Sequence, residues 1–313
     1  MTAFAPGGVG NVGPGLDILG LAVAGAGDEV RAEWTPEPGI HLRDPGHPSL
    51  PREAARHTSA LAAQAVVNAA GQGLLGGRGI ALTVRKGLPL SGGQGGSAAS
   101  AVAGAVAANA LLGGPLDRAG LLAACLVAEE TVAGRHLDNV APSLLGGIVL
   151  IRCMETPDVV QLPVPDELMV VLVRPEQQMR TADARAVLPA AVDRDLALYQ
   201  AAQVGALVAA LALADYELLG RSIDDRIAEP ARARLLPGFA EAKAAALAAG
   251  ALGSSISGSG PTAFALTRGP EIADRVAAAM VAAYAAAGQP STVRVAEVDR
   301  IGARLLDQPE APA

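Results

Sequence analysis

Residues 88–97 form a glycine-rich segment whose composition suits the binding of phosphate groups. Four of the ten residues are glycine, which lets the backbone take positive φ angles and approach an anion closely. A helix is predicted to begin at Ser97, so its unpaired N–H groups and its dipole would point at the bound group. A glycine-rich corner that packs a helix against a sheet is the alternative. The ten residues are Leu88, Pro89, Leu90, Ser91, Gly92, Gly93, Gln94, Gly95, Gly96 and Ser97.

A Walker A loop is excluded as the basis of this phosphate binding. That motif needs a lysine directly after its glycines. The chain has only two lysines, Lys86 and Lys243, and Lys86 precedes the glycines. Backbone amides, Mg²⁺ and arginines would then have to balance the charge of the phosphates.

Three polar side chains, those of His136, Asp138 and Asn139, lie within four residues between a predicted helix and an apolar strand. Such a constellation can form several directed hydrogen bonds to one small molecule. Glu129 and Glu130 lie one or two helical turns upstream, where a carboxylate could reach a metal ion. A solvated turn with an Asx cap is the alternative.

Two further segments rich in small residues lie near the two ends of the chain. Residues 8–13 match the G-x-G-x-x-G pattern of dinucleotide-binding proteins, but too few residues precede them for a strand, and Pro14 would interrupt the required helix. A rigid turn that presents Asn11 and Asp17 is favoured, and a plain surface loop is the alternative. The glycines and serines of residues 253–262 predict a turn before a strand. They indicate either a close approach of another group to the backbone or a hairpin in which they serve only the turn geometry.

The composition excludes several classes of protein. The chain of 313 residues is 51% hydrophobic and carries a net charge of −7 without clustered Lys or Arg, so disorder and nucleic-acid binding are excluded. Cys125 and Cys153 are isolated, which argues against a disulfide framework or a zinc site. Residues 87–116 are uncharged but begin with proline and glycines, which favours a loop and a buried helix over a membrane span. With no signal peptide predicted, we expect a soluble cytoplasmic protein.

Hydrophobic periodicity predicts strands and helices without strict alternation of the two, which indicates an α+β fold. A proline-rich stretch at 157–165 predicts a domain boundary. Strands are predicted at 29–34, 80–86, 146–152, 168–174, 262–267 and 292–298, and helices at 57–70, 97–112, 117–132, 181–188, 196–214, 233–249 and 271–287.

In their order along the chain, these segments resemble the motifs of the GHMP kinase superfamily. The run HLDNVAPSLLGG at 136–147 is the most specific of them, and it is similar to the homoserine kinase branch. The resemblance extends from about residue 5 to residue 300, and its motifs correspond to 11–20, 89–98, 136–147, 181–185, 229–232 and 257–261.

The resemblance implies both a fold and an activity. The implied fold has a ribosomal-S5-like, ATP-binding N-terminal domain, assigned to 1–158, and a ferredoxin-like C-terminal domain, assigned to 159–313. The implied activity is phosphorylation of the side-chain hydroxyl of L-homoserine by ATP with Mg²⁺, a step of threonine biosynthesis. A cytoplasmic homodimer is implied as well.

The resemblance also implies a role for each candidate site residue. Residues 88–97 would bind ATP, with Ser97 and Glu129 on Mg²⁺, and Ser97, Asp138 and Asn139 would act in catalysis. Sugar and mevalonate kinases of the superfamily have an aspartate base where this chain has Asn139, so direct attack by the hydroxyl is expected. Asp17 and Asp138 suit an ammonium group, and Arg185 and Arg232 suit a carboxylate. The full substrate-binding set is Asn11, Asp17, His136, Asp138, Asn139, Thr181, Arg185 and Arg232.

The phosphate segment departs from the family pattern at two positions. Gln94 and Gly96 stand where the family usually has Leu and Ser, so one hydroxyl near the phosphates is lost and Ser97 inherits its role. In relatives, the glutamate that binds Mg²⁺ lies five residues before a glycine. Gly134 is that glycine in this chain, so the resemblance implies Glu129 as the metal ligand, with Glu130 as the alternative. Two other functions stay open: another GHMP kinase, such as a mevalonate-type enzyme, and a catalytically silent nucleotide-binding regulator.

Overall fold

The structure, a computed structural model, describes residues 1–132 and 134–306. These residues form strands and helices in mixed order, as the α+β prediction requires. In chain order they are β1 Thr2–Gly10, β2 Leu19–Thr35, β3 Gly39–Asp44, α1 Thr58–Ala70, β4 Gly79–Arg85, α2 Gly96–Leu111, α3 Arg118–Val132, α4 Val140–Leu145, β5 Ile148–Cys153, β6 Asp158–Leu162, β7 Leu168–Pro175, α5 Thr181–Ala186, α6 Arg194–Leu213, α7 Tyr216–Ser222, α8 Ala228–Ala233, α9 Phe239–Ala248, β8 Gly253–Ile256, β9 Ala263–Arg268, α10 Pro270–Ala286, β10 Ser291–Glu297 and β11 Arg304–Leu305.

The strands form two sheets. The first has the order β11-β1-β2-β4-β3, and β5 extends it by pairing with β2 and β6. All its pairs are antiparallel except β3 with β4. The second sheet is antiparallel, with the order β10-β7-β9-β8. Apolar side chains of β2, β5, β7 and β9 pack together in one core, which joins the two sheets through Leu21, Ile148, Leu172 and Phe264.

The alanine-rich helices α1 and α2 pack on the first sheet, and α3 packs against these two helices. The helical part of the uncharged stretch 87–116 is α2, and most of its residues are buried, so the predicted loop and buried helix are confirmed. A Cβ at Gly104 would lie 2.6 Å from the backbone oxygen of Ser59 in α1. Small side chains therefore let α2 approach its neighbours closely, and a chain with 2% aromatic residues fills its core in this way.

Three stretches that carry no strand prediction contribute to strands in the structure. Residues 7–10 belong to β1, residues 253–256 form β8, and the proline-rich stretch contains β6. Small residues and proline hide the strand periodicity there, and cross-strand pairing in the sheet overrides their weak local preference. The expectation that too few residues precede 8–13 for a strand is wrong, whereas the turn predicted before a strand is present at 257–262, between β8 and β9.

The predicted domain boundary at residue 158 coincides with the first residue of β6. This strand pairs with β5, so the chain changes sheets after Leu162 and before Leu168. Near the end of the described residues, β11 returns to the first sheet by pairing with β1. The division into domains 1–158 and 159–313 stays a prediction.

Within the described residues, one helix, α6, is long and apolar enough to cross a membrane by length and composition alone. Core helices of soluble proteins pass the same test, which makes it weak evidence for a span.

Candidate active site

A cleft of about 990 Å³ contains the candidate residues. It is bounded by the glycine-rich loop, the turn after β1, the start of α4 and helix α5. Every predicted site residue lines it except Gln94, which is buried and donates a hydrogen bond of 3.4 Å to Thr262 Oγ1. The loop turns the Gln94 side chain toward the second sheet, so Gln94 could contact a nucleotide only through its backbone, and its assignment to ATP binding stays a prediction.

The glycine-rich loop ends at the N-terminus of α2. The helix begins at Gly96, one residue earlier than predicted, and Gly95 precedes it with φ +68°. Ser91, although not a glycine, also has a positive φ, of 50°. The free N–H groups of the first helical turn therefore face the cleft beside the exposed Ser97.

Side chains of the segment after β8 donate hydrogen bonds to carbonyl groups of this loop. Ser257 Oγ donates a hydrogen bond of 2.6 Å to the carbonyl of Gly93, and Thr262 Oγ1 donates one to the carbonyl of Gly92. A Cβ at Gly93 would lie 2.7 Å from the backbone oxygens of Ser257 and Gly260. Close backbone approach, one of the two alternatives for residues 253–262, is thus present, and its partner is the phosphate loop.

Ser97 and Glu129 meet across the cleft. Ser97 Oγ donates to Glu129 Oε2 at 3.3 Å. Glu129 is 6% exposed, and burial together with the nearby Asp138 raises its pKa to about 7. Glu130 instead lies on the surface, where it pairs with Arg135 at 3.1 Å. Of the two glutamates, only Glu129 lines the cleft.

The turn after β1 presents Asn11 and Asp17, as the rigid-turn prediction requires. Both residues have positive φ angles, of 72° and 62°. Asn11 Oδ1 accepts a hydrogen bond from the Asp17 amide at 3.1 Å, and Asn11 Nδ2 donates to the Gly258 carbonyl at 2.9 Å. No helix follows the turn, so the context of a dinucleotide-binding fingerprint is absent.

Asp17 lies between two cationic or polar side chains. Arg185 of α5 donates to both of its carboxylate oxygens, at 2.7 and 3.3 Å. His136 Nδ1 lies 3.5 Å from Asp17 Oδ1, and burial lowers the pKa of this imidazole. The sequence assigned Asp17 and Arg185 to opposite ends of a substrate, whereas the structure pairs them with each other.

Asp138 and Asn139 immediately precede α4. Asp138 is 4% exposed, and burial together with Asp17 raises its pKa to about 6, while a hydrogen bond with Asn139 lowers it. Asn139 is the N-cap residue of α4 but makes no side-chain cap, and its buried Oδ1 has no hydrogen-bond partner. The alternative of a solvated, Asx-capped turn is therefore wrong.

Arg232 and Thr181 complete the candidate set. Arg232 is 3% exposed, and it donates to the carbonyls of Ala184 and Gly258 at 3.2 and 2.9 Å. Burial and the neighbouring Arg185 lower its pKa. Thr181 is the exposed first residue of α5 and lines the same cleft.

Helix α8, which carries Arg232, has only six residues and depends on a cap. Asp225 accepts hydrogen bonds from the backbone N–H groups of Ile227, Ala228 and Glu229 at 2.8–3.0 Å. Because an acidic cap stabilises the start of a helix, Asp225 helps to hold Arg232 in place.

Comparison with known proteins identifies the family. The family model described as the GHMP kinases N terminal domain matches residues 57–147, and the GHMP kinases C terminal model matches 207–286. The homoserine kinase of Chlorobium phaeobacteroides (strain BS1) is 41% identical over 98% of this chain and 99% of its own length. The chain belongs to the homoserine kinase family.

Solved structures agree with this membership. The crystal structure of homoserine kinase from Cytophaga hutchinsonii has a TM-score of 0.92 at 40% identity, and the match covers 98% of this chain and 97% of that one. The mevalonate kinase of L. major, at 19% identity and a TM-score of 0.68, shares the fold. The implied GHMP kinase fold and phosphotransferase class are thus confirmed.

Several cleft residues of this homoserine kinase family member were missed by sequence reasoning. Lys86 was noted only for standing ahead of the glycines, although it is one of two lysines in the chain. One wall is lined by polar side chains that carry no motif, those of His47, Ser49, Arg56, His57 and Thr58. Arg174 and Arg180 also line the cleft. The one sequence feature that could have indicated them is their position shortly before Thr181.

The described residues contain no cluster of three or more His, Cys, Asp or Glu side chains that could hold a metal ion alone. Ser97 and Glu129 offer two oxygen donors of the kind that Mg²⁺ prefers. A cation bound there would need further ligands from the phosphates of a nucleotide.

Proposed function

We propose that this protein transfers the γ-phosphoryl group of ATP to the side-chain hydroxyl of L-homoserine, which yields O-phospho-L-homoserine and ADP. The observation that carries the proposal is the position of two arginines and two carboxylates, Arg185, Arg232, Asp17 and Asp138, in the cleft that the glycine-rich loop lines. An amino acid needs both kinds of partner, and its hydroxyl must reach the phosphates. The names of the relatives agree with this acceptor.

The phosphates of ATP would lie on the N-terminus of α2. The amides of 91–97 can donate to phosphate oxygens, and the helix dipole favours their negative charge. Gly95 must stay a glycine for this contact, because φ is +68° and a Cβ would lie 2.9 Å from Asn139 Oδ1.

Glu129 and Ser97 fit a magnesium ion that arrives with the nucleotide. Glu129 is a buried carboxylate whose side chain accepts a hydrogen bond only from Ser97 within the described part of the chain, so a cation would stabilise its charge. Bound Mg²⁺ neutralises charge on the β- and γ-phosphates. Glu129 and Ser97 would orient the nucleotide through that ion.

Homoserine would bind as a zwitterion at the Asp17–Arg185 pair. Arg232, together with Arg185 beyond its bonds to Asp17, would donate to the α-carboxylate, and Asp17 and Asp138 would accept from the α-ammonium. His136, Asn11 and Thr181 orient the remaining polar atoms. An acceptor without an ammonium group offers no positive charge to Asp17 and Asp138, which disfavours mevalonate.

The transfer step needs no protein base at residue 139. The homoserine oxygen bonds to the γ-phosphorus while the bond from that phosphorus to the β–γ bridging oxygen breaks. The hydroxyl proton passes to the transferred phosphoryl group or to solvent. Asn139 cannot take this proton, but its unpaired Oδ1 can accept a hydrogen bond from the hydroxyl and orient it.

A product assay tests the proposal directly. The purified chain is incubated with Mg-ATP and with homoserine, mevalonate, shikimate or galactose, and phosphorylated product is identified by mass spectrometry. Of the four acceptors, we expect only homoserine to give a phosphorylated product. In a thermal-shift titration, we expect Mg-ATP and homoserine each to raise the melting temperature of the protein. Product with mevalonate and none with homoserine would contradict it, and binding of ATP without any product would indicate a silent regulator.

We further propose a place in threonine biosynthesis, a cytoplasmic location and a homodimer, all supported by family resemblance. Light scattering after gel filtration tests the dimer, and a mass of about 31 kDa in solution would refute it. Complementation of a homoserine kinase deletion strain for growth without threonine tests the metabolic role.

A further inference from the structure

Below the glycine-rich loop, Lys86 lies at the centre of a small buried network. Its side chain is 8% exposed, and its ammonium group pairs with Asp28 of β2, whose side chain is fully buried. Lys86 Nζ also donates to the Gly96 carbonyl and to Ser100 Oγ, both at 2.9 Å. Gly96 and Ser100 belong to the first turns of α2, the helix that begins at the loop.

Asp28 connects the same network to the other end of the loop. Its Oδ1 accepts from the amides of Gly87 and Leu88, at 3.1 and 3.3 Å, and its Oδ2 accepts from Ser100 Oγ at 2.6 Å. One carboxylate thus holds the start of the loop, and through Lys86 and Ser100 it also reaches the helix at the end of the loop.

The hydrogen-bonding capacity of Lys86 is fully used by the protein. An ammonium group has three donors, and they are directed at Asp28, Gly96 and Ser100. Although Lys86 borders the cleft, it could donate to a phosphate only by giving up one of these bonds. Its charge is matched by Asp28, so the network presents no free cation to a nucleotide.

We infer that Lys86, Asp28 and Ser100 are positioning residues for the phosphate-binding amides. They act by tying both ends of the 88–97 loop to one ion pair in the first sheet. In this chain the lysine near the phosphate loop would order the backbone instead of binding phosphate. The inference rests on the proposed function for its choice of nucleotide and goes beyond it in assigning these three residues.

Three variants test this assignment, with a matched control. Ser100→Ala removes one hydroxyl and leaves the ion pair in place. Lys86→Met removes the ammonium group, and Asp28→Asn combined with Lys86→Met avoids leaving one buried charge unpaired. Arg85→Met is the control, because Arg85 directly precedes Lys86 at the end of β4 and its side chain is 81% exposed.

The readouts are the KM for ATP, the KM for homoserine, the melting temperature and the Kd for Mg-ATP from calorimetry. If these residues position the loop, Ser100→Ala and Lys86→Met should each raise the KM for ATP and the Kd for Mg-ATP about tenfold or more, because small displacements of binding groups are costly. The homoserine KM should stay within about twofold, and Arg85→Met should match the wild type. The double variant should be as stable as Ser100→Ala and still bind ATP weakly.

Two results would overturn the inference. If Ser100→Ala leaves the Kd for Mg-ATP unchanged while Lys86→Met weakens it, Lys86 contacts the nucleotide directly. If both KM values rise together in proportion to the loss of melting temperature, the network is only structural. Calorimetry needs no acceptor, so failure of the homoserine assignment would be distinguishable from failure of this one.

Discussion

Ser97 Oγ donates a hydrogen bond to Glu129 Oε2 at 3.3 Å, which connects the first turn of α2 to the last turn of α3. The two residues are 32 positions apart in the chain. Their contact brings a hydroxyl from the phosphate loop to a buried carboxylate. Opposed requirements follow for Glu129, because burial disfavours its charge and a cation needs that charge.

Glu129→Gln should stabilise the protein and remove its activity. Burial raises the pKa of Glu129 to about 7 from an ordinary value of 4.5, so the native state binds more protons than the unfolded state between these pH values. The contribution of Glu129 to stability is therefore present below pH 4.5 and lost as pH rises through 7. At pH 8 we expect the variant to be more stable by about 1–3 kcal/mol, and at pH 4 equal to the wild type.

Thermal melts at both pH values, with turnover at saturating Mg-ATP, measure this prediction. Glu130→Gln is the control, because the Glu130 side chain is 52% exposed and paired with Arg135. A Glu129→Gln enzyme with normal turnover would exclude Glu129 as the metal ligand. The wild-type kcat/KM for ATP should also fall as pH drops below about 7, where Glu129 becomes protonated.

Ser97→Ala should lower kcat by about a hundredfold, the scale of losing one preorganised contact in the transition state. Ser97 carries a hydroxyl group at the end of the phosphate loop, whereas Gly96, where the family usually has a serine, carries none. The measurement is kcat against Mg²⁺ concentration. If kcat and the Mg²⁺ dependence are both unchanged, the loop binds ATP through its backbone amides alone.

Gly96→Ser should be tolerated, whereas Gly95→Ser should not. Gly96 is the first residue of α2 and does not have a positive φ, and the nearest atoms to an added Cβ lie 3.5–3.6 Å away. Gly95 has φ +68° and would bring its Cβ within 2.9 Å of Asn139 Oδ1. Steady-state kinetics of the pair should give near wild-type turnover for Gly96→Ser and a large loss for Gly95→Ser. An inactive Gly96→Ser would show that the family hydroxyl is incompatible with this loop.

Arg232→Ala should raise the KM for homoserine far more than the KM for ATP. Loss of a buried, charge-assisted partner typically costs about 2–5 kcal/mol, which corresponds to a rise of about 30-fold or more. Arg234→Ala, on the same short segment but exposed, is the matched control. Equal effects on the two KM values would assign Arg232 to the phosphate instead.

Asn139→Asp should change both the rate and its pH dependence. The new carboxylate would lie beside Asp138, whose pKa burial already raises to about 6. Two adjacent carboxylates repel, so their protons should leave in separate steps. Activity from pH 5 to 9 measures the effect, and an unchanged profile would remove Asn139 from the reacting centre.

Local patterns predicted the regular elements wherever periodicity was strong. Helix α1 was expected at 57–70 and is found at Thr58–Ala70, and β4 was expected at 80–86 and is found at Gly79–Arg85. Strand β8 was missed, because its glycine and serines carry no apolar alternation. It exists because β9 pairs with it in the sheet.

Local sequence is enough to predict the turns that need glycine, the chemical groups of the site and the order of the motifs. These follow from local conformational preference and from side-chain chemistry. The folded chain alone brings Asp17 to Arg185, 168 residues away, and Asn11 to Gly258, 247 residues away. It also turned Gln94 out of the cleft and placed Lys86 under the loop. Such contacts depend on sheet register and helix packing, which are set by the whole core and not by any local stretch of sequence.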